Sequence, residues 1–264
     1  MPLSHEELVH ACDRAAVAEL AYTGHDGGVR VTAVTPLVFD GTPALALPYS
    51  ERALVRALGA SGDVALALSD SRLAYRGWQP LGMSGPVRVE EDAEGNRFQA
   101  HLLDQELRKH PPSRALLDTP VLRREHWWYV PRWIVRLTPA RVRPLGRRTG
   151  PDEGVLAFAA GGSVDVDTVA VEDWAADPVA VRSLAGHDVE RVRAPAAVFT
   201  ADFSVPDLER RVEYAVQGEL RDGYLRPATR SGMRTLPRPL TLRGRLRRLR
   251  ELERACRREL RRAC

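Results

Sequence analysis

The chain has 264 residues, 44% of them hydrophobic, with 39 basic against 35 acidic side chains and a formal charge of +4. A chain of this size removes about 70–75% of its unfolded surface from water, enough for one large core or two modest ones. No stretch approaches the roughly 20 apolar residues of a membrane-spanning helix. Cys12, Cys256 and Cys264 lack both zinc-site spacing and the even count of a disulfide framework.

The opening MPLSHEELVHACDRAA has acidic residues and no apolar run of the kind a secretory signal needs, so a cytoplasmic chain is expected. Ser4 followed by Glu7 has capping-box spacing, and Leu8, Ala11, Cys12, Ala15 and Ala16 make a helical stripe. A first helix is expected over residues 4–20, with Cys12 as packing. In the stretch that follows, apolar runs are separated by His25-Asp26-Gly27-Gly28 and by Asp40-Gly41-Thr42. Asp-Gly steps between such runs signal hairpins and predict an antiparallel meander over residues 17–48. Ser50–Leu58 has the spacing of one short helix, ended by Gly59 and Gly62. VALALS (64–69) and GMSGPVRVEE (82–91) read as strands, and 96–117 as mostly helix broken at Pro111-Pro112. HWWYV and RWIVRLTPARVRPL (126–145) read as closing strands, with Pro131 at a break or an edge. Short strands, hairpin turns and few helices argue for a closed antiparallel barrel; a doubly wound sheet needs long helical crossovers.

RRTGPDEGVLAFAAGGS (147–163) is the expected boundary. Beyond it lie alternating pieces, VDVDTVAVEDW and HDVERVRAPAAVFTADFSV, and a helical one in PDLERRVEYAVQGELRDGYL. Asp165 and Asp167 alternate along the first of these and read as a solvated sheet face. The proline-bearing stretch 235–240 leads to a terminal helix with an apolar stripe of Leu246, Leu249, Leu252, Cys256 and Leu260. Between Arg243 and Arg262 there are ten arginines and three glutamates, a local +7 that leaves −3 for everything else. Of all the basic residues only Lys109 is lysine, which points to a GC-rich coding bias.

G-x-G-x-x-G, the Walker loop and H-E-x-x-H are all missing, and Gly82-Met83-Ser84-Gly85 is not a nucleophile elbow. The seven histidines are scattered, and nothing resembles hydrolytic machinery.

GGVRVTAVTPLVFDG, PALALPYSERALVRAL, GDVALALS, RGWQPLGMSGPVRVEE and RWIVRLTPARVRPL follow one another in an order that resembles the FMN-binding split-barrel superfamily. That group contains pyridoxamine 5'-phosphate oxidase and related flavin, deazaflavin and haem proteins. The resemblance covers about residues 8–145. Two departures stand out: Arg52 replaces the family's usual lysine, and Ala60-Ser61-Gly62-Asp63 replaces its Asn-Pro. The implied fold is mainly β with α. It comprises a split antiparallel β-barrel of FMN-binding type (1–146), a C-terminal α+β extension (147–240) and a basic terminal helix (241–264).

The resemblance also implies a site. Free N–H groups at a helix start suit a cofactor phosphate. Ser50 supplies a hydroxyl there and Arg52 a planar fork for two oxygens. Tyr49 adjoins them, and Arg30 and Thr32 are expected to approach from a neighbouring strand. Thr32 and Thr35 are candidates for the ring edge, Trp78 and Gln79 for its cover, and Trp133 for the pocket wall. FMN is the expected cofactor, with deazaflavin or haem as alternatives. The candidate haem ligands are His126 and His187, and no other metal ligand is expected. The implied activity is an FMN-dependent oxidoreductase acting on a small molecule, with no catalytic residue assigned. The alternatives are a haem-binding or haem-using protein and a non-enzymatic cofactor-binding or structural dimer. A homodimer with sites at its interface is implied. Nucleic-acid binding is not expected, because Glu251, Glu253 and Glu259 interrupt the basic tail.

Overall fold

The computed structural model describes residues 4–117 and 127–263. In chain order the elements begin α1 (His5–Arg14), β1 (Ala18–Thr23), β2 (Val29–Val34), β3 (Leu37–Phe39), β4 (Thr42–Pro48), α2 (Arg52–Ser61), β5 (Asp63–Leu68) and β6 (Leu81–Asp92). They continue with α3 (Leu103–Lys109), α4 (Pro111–Leu117), β7 (Arg132–Leu137), β8 (Arg141–Pro144), β9 (Glu153–Ala160), β10 (Ser163–Val171) and β11 (Val179–Ser183). The last are β12 (Ala194–Phe203), β13 (Arg211–Arg221), β14 (Tyr224–Gly232) and α5 (Leu242–Ala263). The architecture is mixed α/β of split-barrel type: two antiparallel sheets and a C-terminal helix.

The first sheet runs β2-β1-β5-β6-β7-β4-β3, with β8 beside β6. It is split rather than closed, which corrects the closed barrel expected for this region. Its edge strands β2 and β3 are consecutive pieces of chain joined through Thr35 and Pro36, so they run on from one another instead of pairing. β6 serves both halves, pairing with β5 through residues 81–86 and with β7 through residues 87–92. Gly85 stands at that change of partner: a Cβ there would lie 2.2 Å from the Thr138 carbonyl oxygen.

Alternation decides what each strand faces. In β5, Val64, Leu66 and Leu68 point into the core beneath α1 and α2, while Ala65 and Ala67 point the other way. Those alanines and Ala21 of β1 pack against Val155 and Ala157 of β9, Val164 and Val166 of β10, and Ala197 of β12. Small side chains on both surfaces let the two sheets approach closely.

The second sheet is a closed barrel, β10-β11-β14-β13-β12-β9, lined by aliphatic residues, Phe158 and Trp174. The mixture of helix and strand expected here is instead strand, with a single 3₁₀ turn at Val189–Arg191 among the described residues. The stretch expected to be helical, 206–225, holds β13 and the start of β14. They are joined at Asp222-Gly223, where both residues have positive φ (53° and 78°), the conformation of a tight hairpin. Two further expectations give way. The first helix ends at Arg14, because Ala15 is already extended and β1 pairs on both sides with β2 and β5. Trp127–Tyr129 forms a 3₁₀ turn rather than a strand, and pairing resumes at Arg132 after Pro131. No helix among the described residues is long and apolar enough to cross a membrane.

The sheets are also joined by a buried ion pair. Arg148 Nη1 donates to Glu19 Oε1 at 2.7 Å and Nη2 to Thr200 Oγ1 at 3.2 Å, while Ser69 Oγ donates to Glu19 Oε2 at 3.1 Å. Burial pushes Glu19 up to about 7, with Arg148 pulling against it. Removing one partner of such a pair costs more than removing both, because the survivor is left uncompensated. Arg148→Met is therefore expected to cost about 3–5 kcal/mol in urea unfolding, and Glu19→Leu/Arg148→Met less than that single change. The raised pKa means the folded chain retains a proton that the unfolded chain has lost. The stabilising share from Glu19 is thus complete below about pH 4.5 and lost as pH rises to about 7. Glu19→Gln should remove this component of the pH dependence of unfolding.

Candidate functional site

β4 ends at Pro48, and a 3₁₀ turn over Tyr49–Glu51 hands the chain to α2 at Arg52. Tyr49 is fully buried; its hydroxyl donates to Glu91 Oε1 at 2.6 Å, and its ring lies 5.2 Å from that of Trp133. The Ser50 hydroxyl is buried without a hydrogen bond of normal geometry, and its neighbour is the thiol of Cys256. Arg52, on the first turn of α2, places Nη1 3.3 Å from Glu259 Oε2.

Cys256 and Glu259 both belong to α5, which straps across this corner. Leu249, Leu252, Cys256 and Leu260 pack on Tyr49, Trp128, Tyr129 and Trp133. At the other end of the strap, Arg245 Nη2 reaches Glu209 Oε2 at 2.8 Å and Arg248 Nη1 the Glu209 carbonyl at 3.0 Å. Cys256 is fully buried, and burial pushes its thiol up against the lowering pull of the Ser50 N–H and hydroxyl. Desolvation would raise Glu259, but the Arg52 hydrogen bond and the charges of Arg262, Arg52 and Arg258 together hold it below the usual carboxylate range.

Of the nine residues singled out for a cofactor, Tyr49, Ser50, Arg52 and Trp133 are brought together here. Arg30 is not. Its guanidinium is taken by Asp26 and by Gln217 of β13, at 2.5 Å from Gln217 Oε1. Thr32 donates to Glu213 of β13 at 3.2 Å, and the same carboxylate accepts from Ala33 N at 2.6 Å. The second barrel has claimed the outer face of β2. Thr35 lies in the link between β2 and β3. Trp78 is buried in the first core with Nε1 unpartnered and Arg147 5.8 Å over its ring. Gln79 is exposed beside a separate cavity of about 240 Å³ lined by Glu7, His10, Gly77 and Pro80.

His126 lies outside the described residues. His187 belongs to the second barrel, with Nδ1 3.1 Å from Asp167 Oδ1. That corrects the solvated face expected for Asp167, which is fully buried. Among the described residues no group of three His, Cys, Asp or Glu is placed to hold a metal ion.

Sequence reasoning missed the polar group behind the site. Arg132 is fully buried between the rings of Phe98 and Tyr129, 4.2 and 3.9 Å from their centroids. Its Nη2 lies 3.5 Å from Glu106 Oε1, which also accepts from Tyr129 OH at 2.6 Å and Ser113 Oγ at 2.8 Å. An arginine beginning the apolar run RWIVRL was the available signal.

Taken together, the corner gathers polar groups against an aromatic wall. It holds a guanidinium already engaging a carboxylate, a buried hydroxyl beside the Cys256 thiol, and an aromatic wall whose Trp133 Nε1 is unpartnered. No protein-family model matches the chain, and no curated protein matches it. Several solved structures share part of its path. One is a conserved hypothetical protein from Mycobacterium tuberculosis, at 19% identity over 54% of this chain and 84% of that one, with a TM-score of 0.38. An F420 reductase matches at 21% identity over 54% of this chain and 98% of that one, TM-score 0.37. A heme storage protein from Vibrio cholerae matches at 13% identity over 55% and 95%, TM-score 0.33. These are loose likenesses and bring no chemistry to this chain.

The strap makes a checkable claim about Cys256, since labelling its thiol requires α5 to lift. In a Cys264→Ser background, Glu259→Gln is expected to raise the rate of maleimide labelling at Cys256 severalfold. Cys12, on the buried face of α1 with its thiol pushed up to about 12, should stay unlabelled in both proteins. An unchanged rate would mean that Glu259 does not hold the strap down.

Proposed function

We propose that the chain binds a flavin mononucleotide by its phosphate end at Ser50 and Arg52, and acts as an oxidoreductase that passes hydride or electrons to or from a small molecule. The observation that carries this reading is the pair of Arg52 with Glu259 beside the buried Ser50 hydroxyl, whose neighbour is the Cys256 thiol. A cation on the first turn of a helix, next to a buried donor, is already engaged with an anion. A phosphate monoester carries close to two charges and three acceptor oxygens, and so outbids one carboxylate for a fork of N–H donors. The order of strands and turns in residues 8–145, which resembles the FMN-binding split barrels, supports the same cofactor over an unspecified anion.

Each residue has a defined task in this reading. Arg52 clamps two phosphate oxygens, and Ser50 Oγ donates to a third. The Tyr49 and Trp133 rings form a flat apolar wall, and Trp133 Nε1 offers a donor to a polar edge. Glu259 gives way, so α5 yields at its C-terminal end while Glu209 retains the other. When bound, FMN supplies the hydride and electron chemistry, and the protein contributes orientation and electrostatics. The dimer implied by the resemblance is part of this proposal, to be read from the sedimentation of the full chain.

Titration with FMN and with riboflavin tests the assignment. Arg52→Ala is expected to weaken FMN at least about tenfold, as the loss of charged hydrogen bonds worth about 1.5–3 kcal/mol requires. Riboflavin, which lacks the phosphate, should change little. Glu259→Gln is expected to tighten FMN by removing its competitor. Equal FMN affinity in wild type and Arg52→Ala would end the reading, as would a Soret band instead of flavin absorbance in purified protein.

A further inference from the structure

The outward side of α5 carries a pattern that neither the fold nor the cofactor site uses. At about 100° per residue, Arg243, Arg247, Arg250, Arg254, Arg257, Arg258 and Arg261 all fall within an arc of roughly 100°. Those seven positions are exposed, and every one is arginine. The stripe runs for about 27 Å along the axis at about 1.5 Å per residue. The glutamates expected to break the charge lie off it. Glu259 turns inward to Arg52, Glu253 is spent on Arg257 at 2.8 Å, and Glu251 sits at the flank. Among the described residues no ion pair engages Arg243, Arg247, Arg250, Arg254 or Arg261.

Like charges three and four residues apart destabilise a helix by a few tenths of a kcal/mol per pair. Glu251 and Glu253 stand at the same spacing from Arg247, Arg250 and Arg254 and offset part of that cost, but among the described residues they form no ion pair with them. Elsewhere the exposed arginines that form no ion pair, such as Arg56, Arg76 and Arg182, are scattered, while Arg30, Arg72, Arg108, Arg148 and Arg193 each meet a carboxylate, and outside residues 243–262 the chain is net negative.

We infer that α5 is a docking surface for the phosphate backbone of duplex nucleic acid, contacted without regard to sequence. Three features select this partner. A rigid row of guanidinium groups matches a regular line of phosphates. An interfacial membrane helix would need its apolar face for lipid, whereas Leu249, Leu252, Cys256 and Leu260 are already packed on the protein. The stripe has no aromatic side chain on which single-stranded bases could stack. The contact leaves the inward side of α5 in place and does not draw on Arg52.

Fluorescence anisotropy of the full chain with a labelled mixed-sequence DNA duplex of about 20 base pairs tests this. With five free arginines, log K is expected to fall against log salt with a slope of about −4.5, at about 0.9 per neutralised phosphate. Arg247→Gln/Arg250→Gln/Arg254→Gln should reduce that slope by about 2.7 and weaken binding at least tenfold at about 100 mM salt. Lysine at the same three positions keeps the charge and should restore the slope. Protection of Cys256 from maleimide reports whether α5 is still docked in each variant. The proposal fails if no binding is seen at about 50 mM salt or if the glutamine variant keeps the wild-type slope. It also fails if phosphatidylserine vesicles bind while duplex DNA does not.

Discussion

A carboxylate from the end of the chain sits on the arginine where an anionic ligand was expected. The Glu259–Arg52 contact, with Cys256 seated against Ser50 beside it, governs what this corner of the protein can do. It couples the state of α5 to that of the Ser50–Arg52 turn. A free guanidinium on an exposed first helical turn would be a solvated charge. Here the strap lowers the local polarity around it, buries the Ser50 hydroxyl and turns the Tyr49–Trp133 wall into an interior surface. Any ligand with more negative charge than one carboxylate competes directly for the same donors.

The second constraint is the layer of small residues between the sheets. Because Ala21, Ala65 and Ala67 face the barrel, the two sheets come close enough for side chains of β2 to be claimed by β13. Arg30 and Thr32 are thereby committed to Gln217 and Glu213 and withdrawn from the Ser50 corner. The Glu19–Arg148–Thr200 group fastens the same junction with buried charge. The candidate site accordingly draws on α5, the 3₁₀ turn at Trp127–Tyr129 and Trp133 of β7 instead of β2.

The two sides of α5 have different chemistry. One side is apolar with a single acidic side chain, and it closes over the Ser50 corner. The other is a row of arginines in water. A net charge averaged over the tail conceals this division, since the glutamates counted against the arginines lie on other sides of the helix.

Local signals made much of the first half legible. The capping box at Ser4 and Glu7, the Asp26-Gly27 and Asp40-Gly41 turns, and the leucine–alanine alternation of β4 and β5 each follow from spacing alone. The same signal stands at Asp222-Gly223, inside the stretch 206–225 expected to contain a helix, where β13 and β14 instead form a hairpin. The hydroxyl-and-arginine turn was also visible in sequence, and so was the apolar stripe of α5. What covers that turn was not. Glu259, Gln217 and Glu213, which engage Arg52, Arg30 and Thr32, lie 207, 187 and 181 residues away along the chain, and spacing carries no information over such separations. Only the packing of two sheets through small side chains, and the return of the last helix across the first sheet, brought those groups within hydrogen-bond reach.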